Sequence, residues 1–103
     1  MEKLYTALEK IYSIQILVNL HSIEGKITAK DLMKKIGCSS NVTFTERLDD
    51  LKNANLLEYQ KKPTVKDGKT IGGGQTKWIW ITPKGKKVAK KLLEIKEIMN
   101  REG

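Results

Sequence analysis

A run of short polar and charged side chains occupies residues 39–47 of this 103-residue sequence. Hydroxyl and amide groups near a helix start suit hydrogen bonds to phosphate oxygens or base edges, and arginine binds guanine or phosphate. Glutamate accepts from a cytosine amine, and a valine methyl contacts a thymine methyl. The run therefore predicts a surface for nucleic acid, made by Ser39, Ser40, Asn41, Val42, Thr43, Thr45, Glu46 and Arg47.

Two acidic residues that follow this run, Asp49 and Asp50, oppose this interpretation because phosphate repels carboxylates. If the segment enters a DNA groove, these acids must point away from the duplex or pair with lysines. Arg47 also has a structural interpretation, as an ion-pair partner of Asp50 or Asp49. The sequence leaves both roles of Arg47 open.

Basic residues are concentrated in one part of the chain. Residues 60–91 hold ten lysines against one acid, Asp67, and the other 71 residues hold ten basic and eleven acidic groups. Such a local field attracts polyanions and speeds their association. A surface that only keeps the protein soluble is the alternative. The lysines predicted to contact phosphate or a minor groove are Lys61, Lys62, Lys66, Lys69 and Lys77.

Two short helical patterns over about 28–54 position the polar run. Thr28 is a predicted N-cap, and Gly37 is a predicted left-handed stop for the first helix. The second helix has an apolar face and ends near Asn55. Two helices joined by a short turn are typical of a helix-turn-helix unit, whose second helix enters a major groove.

A β-hairpin wing is predicted over about 56–82. Its strands are expected at 56–62 and 75–82, around a Gly-rich loop with an Asp67-Gly68 turn signal. Trp78 and Trp80 share one face of the second strand and are predicted to lie where the sheet meets the helices. A platform on which Trp78, Trp80 and Tyr59 stack with single-stranded nucleic acid is the alternative.

Long helices are predicted at both ends of the chain, helix 1 over about 2–21 and a C-terminal helix over about 83–101. Thr82 is the predicted N-cap of the last helix, and Pro83 takes its first position. An apolar stripe on that helix favours pairing with helix 1 and a second subunit, with packing inside one domain as the alternative. The predicted dimer interface is Leu4, Leu8, Ile11, Val88, Leu92, Ile95 and Met99.

These motifs together resemble the winged-helix transcriptional regulators of the HxlR and MarR type. The resemblance is carried by FTERLDDLKNANLLEY, a Gly-rich gap and WIWITPKGKKVAKKLLEI, and it covers roughly Ile14 to Ile95. In those families an R-L-x-x-L recognition helix precedes a wing and an ITPKG-like junction. The turn at 38–41 is about one residue longer than the resemblance implies, which leaves the start of the recognition helix open.

Other classes of protein are disfavoured. One cysteine excludes an internal disulfide and favours a reducing compartment, and one cysteine with one histidine makes no metal-ligand set. No apolar run approaches the ~20 residues of a membrane span, and the N-terminus lacks signal-peptide architecture. No nucleophile–base pair or phosphate loop indicates an enzyme. We therefore expect a cytoplasmic non-enzyme without metal or cofactor, and the sequence identifies no effector.

The sequence predicts one domain over 1–103, mostly α with a small β-hairpin wing (α+β), as a winged helix-turn-helix with a long C-terminal dimerisation helix. The predicted function is a homodimeric, sequence-specific regulator of transcription that binds double-stranded DNA. A winged-helix module that binds a protein or single-stranded nucleic acid is the alternative. Cys38 is predicted to be a core residue rather than an oxidant sensor.

Overall fold

Four helices and a three-stranded sheet make up the part of the chain that the structure, a computed structural model, describes. This part is residues 8–66 and 69–102, with side chains for 8–63 and 75–101. The helices are α1 (Ser13–Ser22), α2 (Ala29–Ile36), α3 (Asn41–Asn53) and α4 (Pro83–Glu102). The strands are β1 (Ile27–Thr28), β2 (Leu57–Lys66) and β3 (Lys69–Ile81).

Local capping residues set both bounds of α2, as the sequence predicts, and also the start of α3. The Thr28 hydroxyl accepts from the Asp31 N–H at 3.2 Å, and Gly37 ends α2 with a φ of 72°. The Ser40 hydroxyl accepts from the Thr43 N–H at 3.2 Å, so α3 begins at Asn41. This cap settles the start of the second helix, which the sequence left open.

The antiparallel sheet has the order β1-β3-β2, so the wing hairpin also pairs with the short strand before α2. Leu57 lies opposite Ile81, and Tyr59 lies opposite Ile79. Ile79, Ile81 and Leu57 are buried, whereas Trp78 and Trp80, on the opposite face of β3, are half-buried. The predicted alternation of the two faces is confirmed.

The wing strands are longer than the sequence predicts. Residues 63–74 lack apolar alternation and were expected to form a loop, yet β2 continues to Lys66 and β3 begins at Lys69. The register shifts between Pro63 and Val65, which accommodates the extra residues of β3. Backbone pairing needs no apolar side chains, so this extension leaves no hydrophobic pattern to read. The predicted turn residues at 67–68 lie outside the described residues.

The predicted helix 1 (about 2–21) is interrupted where the structure describes it. The chain turns at residues 10–12, and α1 starts directly afterwards. Tyr12 has a φ of 71°, a left-handed conformation that few residues other than glycine adopt. At this turn the Lys10 ammonium lies 3.2 Å from a carboxylate oxygen of Asp50 on α3. Apolar residues continue through the turn, which is why periodicity alone predicts an unbroken helix.

The core lies between α1, the helix-turn-helix and the sheet. α1 packs against α4, as predicted for helix 1 and the last helix. Cys38 is buried in the core, which confirms its predicted place. The core residues are Ile16, Leu17, Leu20, Ile27, Leu32, Cys38, Phe44, Leu48, Leu51, Ala54, Leu56, Leu57, Ile79, Ile81 and Ala89.

A tight junction connects the end of α3 to the start of α4. The Thr82 hydroxyl accepts from the Gly85 N–H at 2.9 Å, which confirms Thr82 as the N-cap. The same hydroxyl donates to the Asn55 carbonyl at 2.6 Å. A Cβ placed on Gly85 would lie 1.9 Å from the Leu56 carbonyl oxygen, so only glycine fits at this position.

We predict that Gly85→Ala destabilises the protein by about 1–3 kcal/mol, the usual cost of overpacking. In an open helix the same change would stabilise by about 0.5–1 kcal/mol, because alanine is the better helix former. Here the clash with backbone wins, since a carbonyl cannot rotate away as a side chain does. Urea unfolding at one fixed protein concentration measures the difference.

Lys86→Ala is the matched control, because Lys86 is exposed in the same turn of α4. Its free energy of unfolding should change by less than about 0.5 kcal/mol. Equal stability of wild type and Gly85→Ala would show that the junction relaxes without cost, contrary to the prediction.

Candidate nucleic-acid interface

The amino-terminal part of α3 and the turn before it form an exposed polar face. Six of the predicted contact residues are exposed, and Thr43 is half-buried. Val42 is 71 % exposed, so its methyl groups are accessible for contact. The exposed residues of this face are Ser39, Ser40, Asn41, Val42, Thr45 and Glu46.

Arg47 is held in ion pairs and is mostly buried, unlike the exposed residues of this face. Its side chain is 13 % exposed, and one guanidinium nitrogen donates to Asp50. The other lies 3.5 Å from Glu46, and Lys10 contacts the same Asp50 carboxylate. The structural interpretation of Arg47 that the sequence left open is therefore the arrangement found. A base or phosphate contact by Arg47 stays a prediction and requires that this ion pair open.

The second acid of α3, Asp49, is also engaged. The Tyr59 hydroxyl of β2 donates to its Oδ1 at 2.6 Å. This hydrogen bond raises the pKa of Tyr59 above its ordinary 10.0, with burial adding to the effect. Asp50 is paired with Lys10, as the sequence requires for a helix near phosphate, whereas the partner of Asp49 is the Tyr59 hydroxyl instead of a lysine.

Two lysines lie over the ring of Tyr59. Lys52 of α3 and Lys77 of β3 each place Nζ 4.6 Å from the ring centroid, a cation–π distance. Burial lowers the pKa of Lys77, Lys61 lowers it further by repulsion, and Asp49 opposes both. The sequence does not predict this group, because its members come from three elements.

The wing lysines divide into two groups. Lys61 and Lys62 are exposed, Lys77 is half-buried, and Lys61 lies opposite Lys77 in the hairpin. Lys66 and Lys69 are paired backbone positions nearer the hairpin tip, and their side chains lie outside the described residues. The face of the hairpin that begins at Leu57 therefore changes from apolar to basic toward the tip.

A groove of about 830 Å³ runs between α2, the following turn and β3. Two of its lysines, Lys30 and Lys34, lie one turn apart on α2, and Lys77 faces them from the wing. Sequence reasoning missed Lys30 and Lys34, although their spacing of four on a helix beside the polar run was a readable signal. Its lining is Thr28, Ala29, Lys30, Met33, Lys34, Gly37, Cys38, Ser39, Asn41, Gln75, Thr76 and Lys77.

The residues predicted to form a dimer interface also divide. Leu8, Val88 and Leu92 pack against the chain's own core, and Leu4 lies outside the described residues. Ile95 and Met99, one turn apart on α4, are 55 % and 69 % exposed. Ile11, which was assigned to the interface, is 63 % exposed. Ile14 and Ile98 are exposed as well, although the sequence did not assign them to it.

Two further properties concern the described residues only. They contain no helix that is long and apolar enough to cross a membrane. In the same part of the chain, no group of three or more histidine, cysteine or acidic side chains has the arrangement to hold a metal ion.

Solved structures of similar fold were found, whereas no protein-family model and no curated protein sequence matches the chain. A transcriptional regulator of the MarR family from Porphyromonas gingivalis W83 aligns with a TM-score of 0.72 at 19 % identity, over 93 % of this chain and 84 % of that one. The reduced transcriptional regulator YodB of B. subtilis gives 0.69 at 22 %, over 94 % and 85 %. MepR of S. aureus, solved in complex with DNA, gives 0.64 at 20 %, over 98 % and 78 %.

At these identities the similarity concerns the fold. The chain has the winged helix-turn-helix fold of the MarR-type regulators, with a three-stranded sheet and a long C-terminal helix. The fold expected from the sequence is thereby confirmed. In this fold α2 and α3 are the helix-turn-helix, and β2 with β3 is the wing.

We predict that Asp49→Asn lowers the pKa of Tyr59 toward its ordinary 10.0, because the hydroxyl loses a charged acceptor. In the wild type, the neutral hydroxyl is favoured by folding. Its contribution to stability is therefore present below the unfolded pKa and is lost as the pH rises through the raised folded pKa. Ultraviolet absorbance of tyrosinate, titrated from neutral to alkaline pH, measures the effect.

Subtracting the titration of Tyr59→Phe isolates Tyr59 from the other two tyrosines. The same subtraction, repeated with Asp49→Asn in both proteins, gives the shifted value. An identical Tyr59 titration with and without the Asp49 charge would contradict the hydrogen bond.

Proposed function

We propose that the chain is a homodimeric regulator of transcription that binds double-stranded DNA sequence-specifically. The observation that carries this proposal is the exposed polar face of α3 beside a basic hairpin. The face has the size and chemistry for a major groove, and the hairpin has the charge for phosphate or a minor groove. The residues proposed to read bases or contact phosphate are those of the exposed face, with Thr43 beside them.

The pairing of the acids supports the same proposal. A recognition helix with free carboxylates would repel the duplex, but Asp50 has Lys10 and Arg47 beside it, and Asp49 has Tyr59. We propose that Arg47 acts mainly through this ion pair. Arg47 then stabilises the helix that carries the polar face, and the residues that precede Arg47 in α3 and its turn read the DNA sequence.

The groove extends the proposed phosphate contacts. Lys30 and Lys34 project from α2 on one side and Lys77 from the wing on the other. A phosphate strand lying across this groove would meet cations from both sides. The fold comparison supports the proposal, because MepR, a protein of similar fold, was solved bound to DNA.

Dimerisation is proposed from the exposed end of α4. Ile95, Ile98 and Met99 leave an apolar face there, and exposed apolar faces of this kind mark interaction sites. A two-fold dimer would present two α3 helices to successive major grooves about 34 Å apart. The operator would then be palindromic or nearly so, and the proposed compartment is the cytoplasm.

Binding to random duplex and single-stranded DNA, measured by fluorescence anisotropy across a salt series, tests the function. We predict a duplex preference with a steep salt slope, because cations displace counterions from the double helix. Replacing Lys66 and Lys69 by alanine should weaken binding to all sequences alike. The slope should fall by roughly one unit for each lost phosphate contact.

The matched control replaces Lys90 and Lys96, two exposed lysines of α4, by alanine. It removes the same charge and should leave the slope nearly unchanged. An unchanged slope after loss of Lys66 and Lys69 would exclude these two lysines from the phosphate contacts. Absence of duplex binding at low salt would overturn the proposed function, and preference for single strands would favour the alternative module.

We predict that Ile95→Asp with Met99→Asp yields a folded monomer. Both side chains are exposed in one subunit, so the change removes intersubunit contact without opening the core. Leu92 is unsuitable for this test, because it packs against its own core. Analytical ultracentrifugation measures the mass, and circular dichroism confirms folding.

Lys96→Asp is the control for charge, since it shifts the net charge by the same two units at an exposed polar position of α4. It should leave the dimer intact. A dimer that persists after the Ile95 and Met99 changes would exclude this face as the interface.

A further inference from the structure

Tyr59 joins the three elements that DNA binding needs in a fixed arrangement. It belongs to β2, and its hydroxyl donates to Asp49 of α3 at 2.6 Å. Its ring lies 4.6 Å from the ammonium groups of Lys52, on α3, and Lys77, on β3. One side chain therefore connects the proposed recognition helix to both strands of the wing.

The position of Tyr59 along the hairpin is a boundary. On its core side, Leu57 lies opposite Ile81, and both are buried. On its other side, Lys61 lies opposite Lys77. A ring that packs and a hydroxyl that bonds suit this boundary, where the wing leaves the core.

Asp49 is the group that most needs control near DNA. It is a half-buried carboxylate on α3, and a free charge there would repel phosphate. The Tyr59 hydroxyl occupies one of its oxygens, and the Lys77 ammonium is close enough to feel its charge. The Tyr59 hydroxyl is a donor at neutral pH, because even the ordinary tyrosine pKa of 10.0 lies well above it.

We propose that Tyr59 is a positioning residue for DNA binding: its hydroxyl holds the Asp49 carboxylate away from the phosphates, and its ring keeps Lys52 and Lys77 in place. This role rests on the proposed function. Tyr59 need not touch DNA itself. Its effect passes through Asp49, which it restrains, and through Lys52 and Lys77, which lie over its ring.

Tyr59→Phe is the first test, because it removes the hydroxyl and keeps the ring between both lysines. Duplex affinity should fall roughly fivefold to tenfold, which corresponds to the net free energy of one hydrogen bond. Tyr12→Phe is the matched control, since it removes a hydroxyl from another half-buried tyrosine. Its affinity should equal that of the wild type.

Neutralising the freed carboxylate separates the proposed role from a merely structural one. Asp49→Asn in the Tyr59→Phe background should restore most of the lost affinity, because no charge remains to repel phosphate. Asp49→Asn alone should bind like the wild type, since asparagine still accepts from the hydroxyl. A double variant as weak as Tyr59→Phe would overturn the masking of Asp49.

A second pair of variants keeps the proposal testable if Tyr59→Phe folds poorly. Lys52→Met and Lys26→Met each remove an ammonium that lies 4.6 Å from an aromatic ring, but Lys26 lies over Trp80, outside the Tyr59 group. Lys52→Met should weaken duplex binding more than Lys26→Met, with an unchanged salt slope. A slope lower by about one would make Lys52 a phosphate contact instead.

These experiments distinguish a failure of the proposed function from a failure of the proposed role of Tyr59. A wild-type protein that binds no duplex overturns the proposed function and this role with it. If the wild type binds duplex DNA and Tyr59→Phe binds it equally well, only the role of Tyr59 is overturned.

Discussion

The first turn of α4 lies directly against the backbone that leaves α3, and only a glycine leaves room for that contact. The Leu56 carbonyl occupies the space where a Cβ of Gly85 would stand, and Thr82 connects Asn55 to the same turn. Lys84 adds a hydrogen bond to the Ala54 carbonyl at 3.0 Å. These contacts between residues 54–56 and 82–85 fix the direction of α4 relative to α3. The polar face of α3 and the exposed apolar end of α4 take their relative orientation from this junction.

A second constraint is electrostatic. The charge of the basic hairpin favours polyanions, but α3 carries three acids, Glu46 on the polar face and Asp49 and Asp50 beyond it. Two of these acids have partners from outside the helix. Lys10, from the turn before α1, contacts Asp50, and Tyr59, from β2, donates to Asp49. Exposed ion pairs contribute little to stability. Their larger effect here is on the field around α3, because each paired carboxylate repels an approaching phosphate less than a free one does.

What the sequence predicted well is local. Thr28 and Thr82 cap helices because a hydroxyl reaches an N–H three residues on, and Gly37 and Asn55 take left-handed conformations for reasons confined to one residue. The turn at Tyr12 and the partner of Asp49 were not predictable in this way. Each depends on residues 10 to 40 positions apart, which no periodicity records. Arg47 lies between these cases: its possible partners were readable at helical spacing, but the choice of Asp50 needed the structure.

The length of α4 connects the two constraints. A helix of 20 residues is about 30 Å long, and the part of α4 around Ala89 and Leu92 covers the core, whereas residues 94–101 are exposed. An apolar stripe continued beyond the core has no stabilising effect within one described subunit. In the proposed dimer it would be buried by a partner, and the rigid junction at Gly85 would transmit the geometry of that contact to α3. Association would then bury the exposed apolar end of α4, and the same contact would set the separation of the two recognition helices.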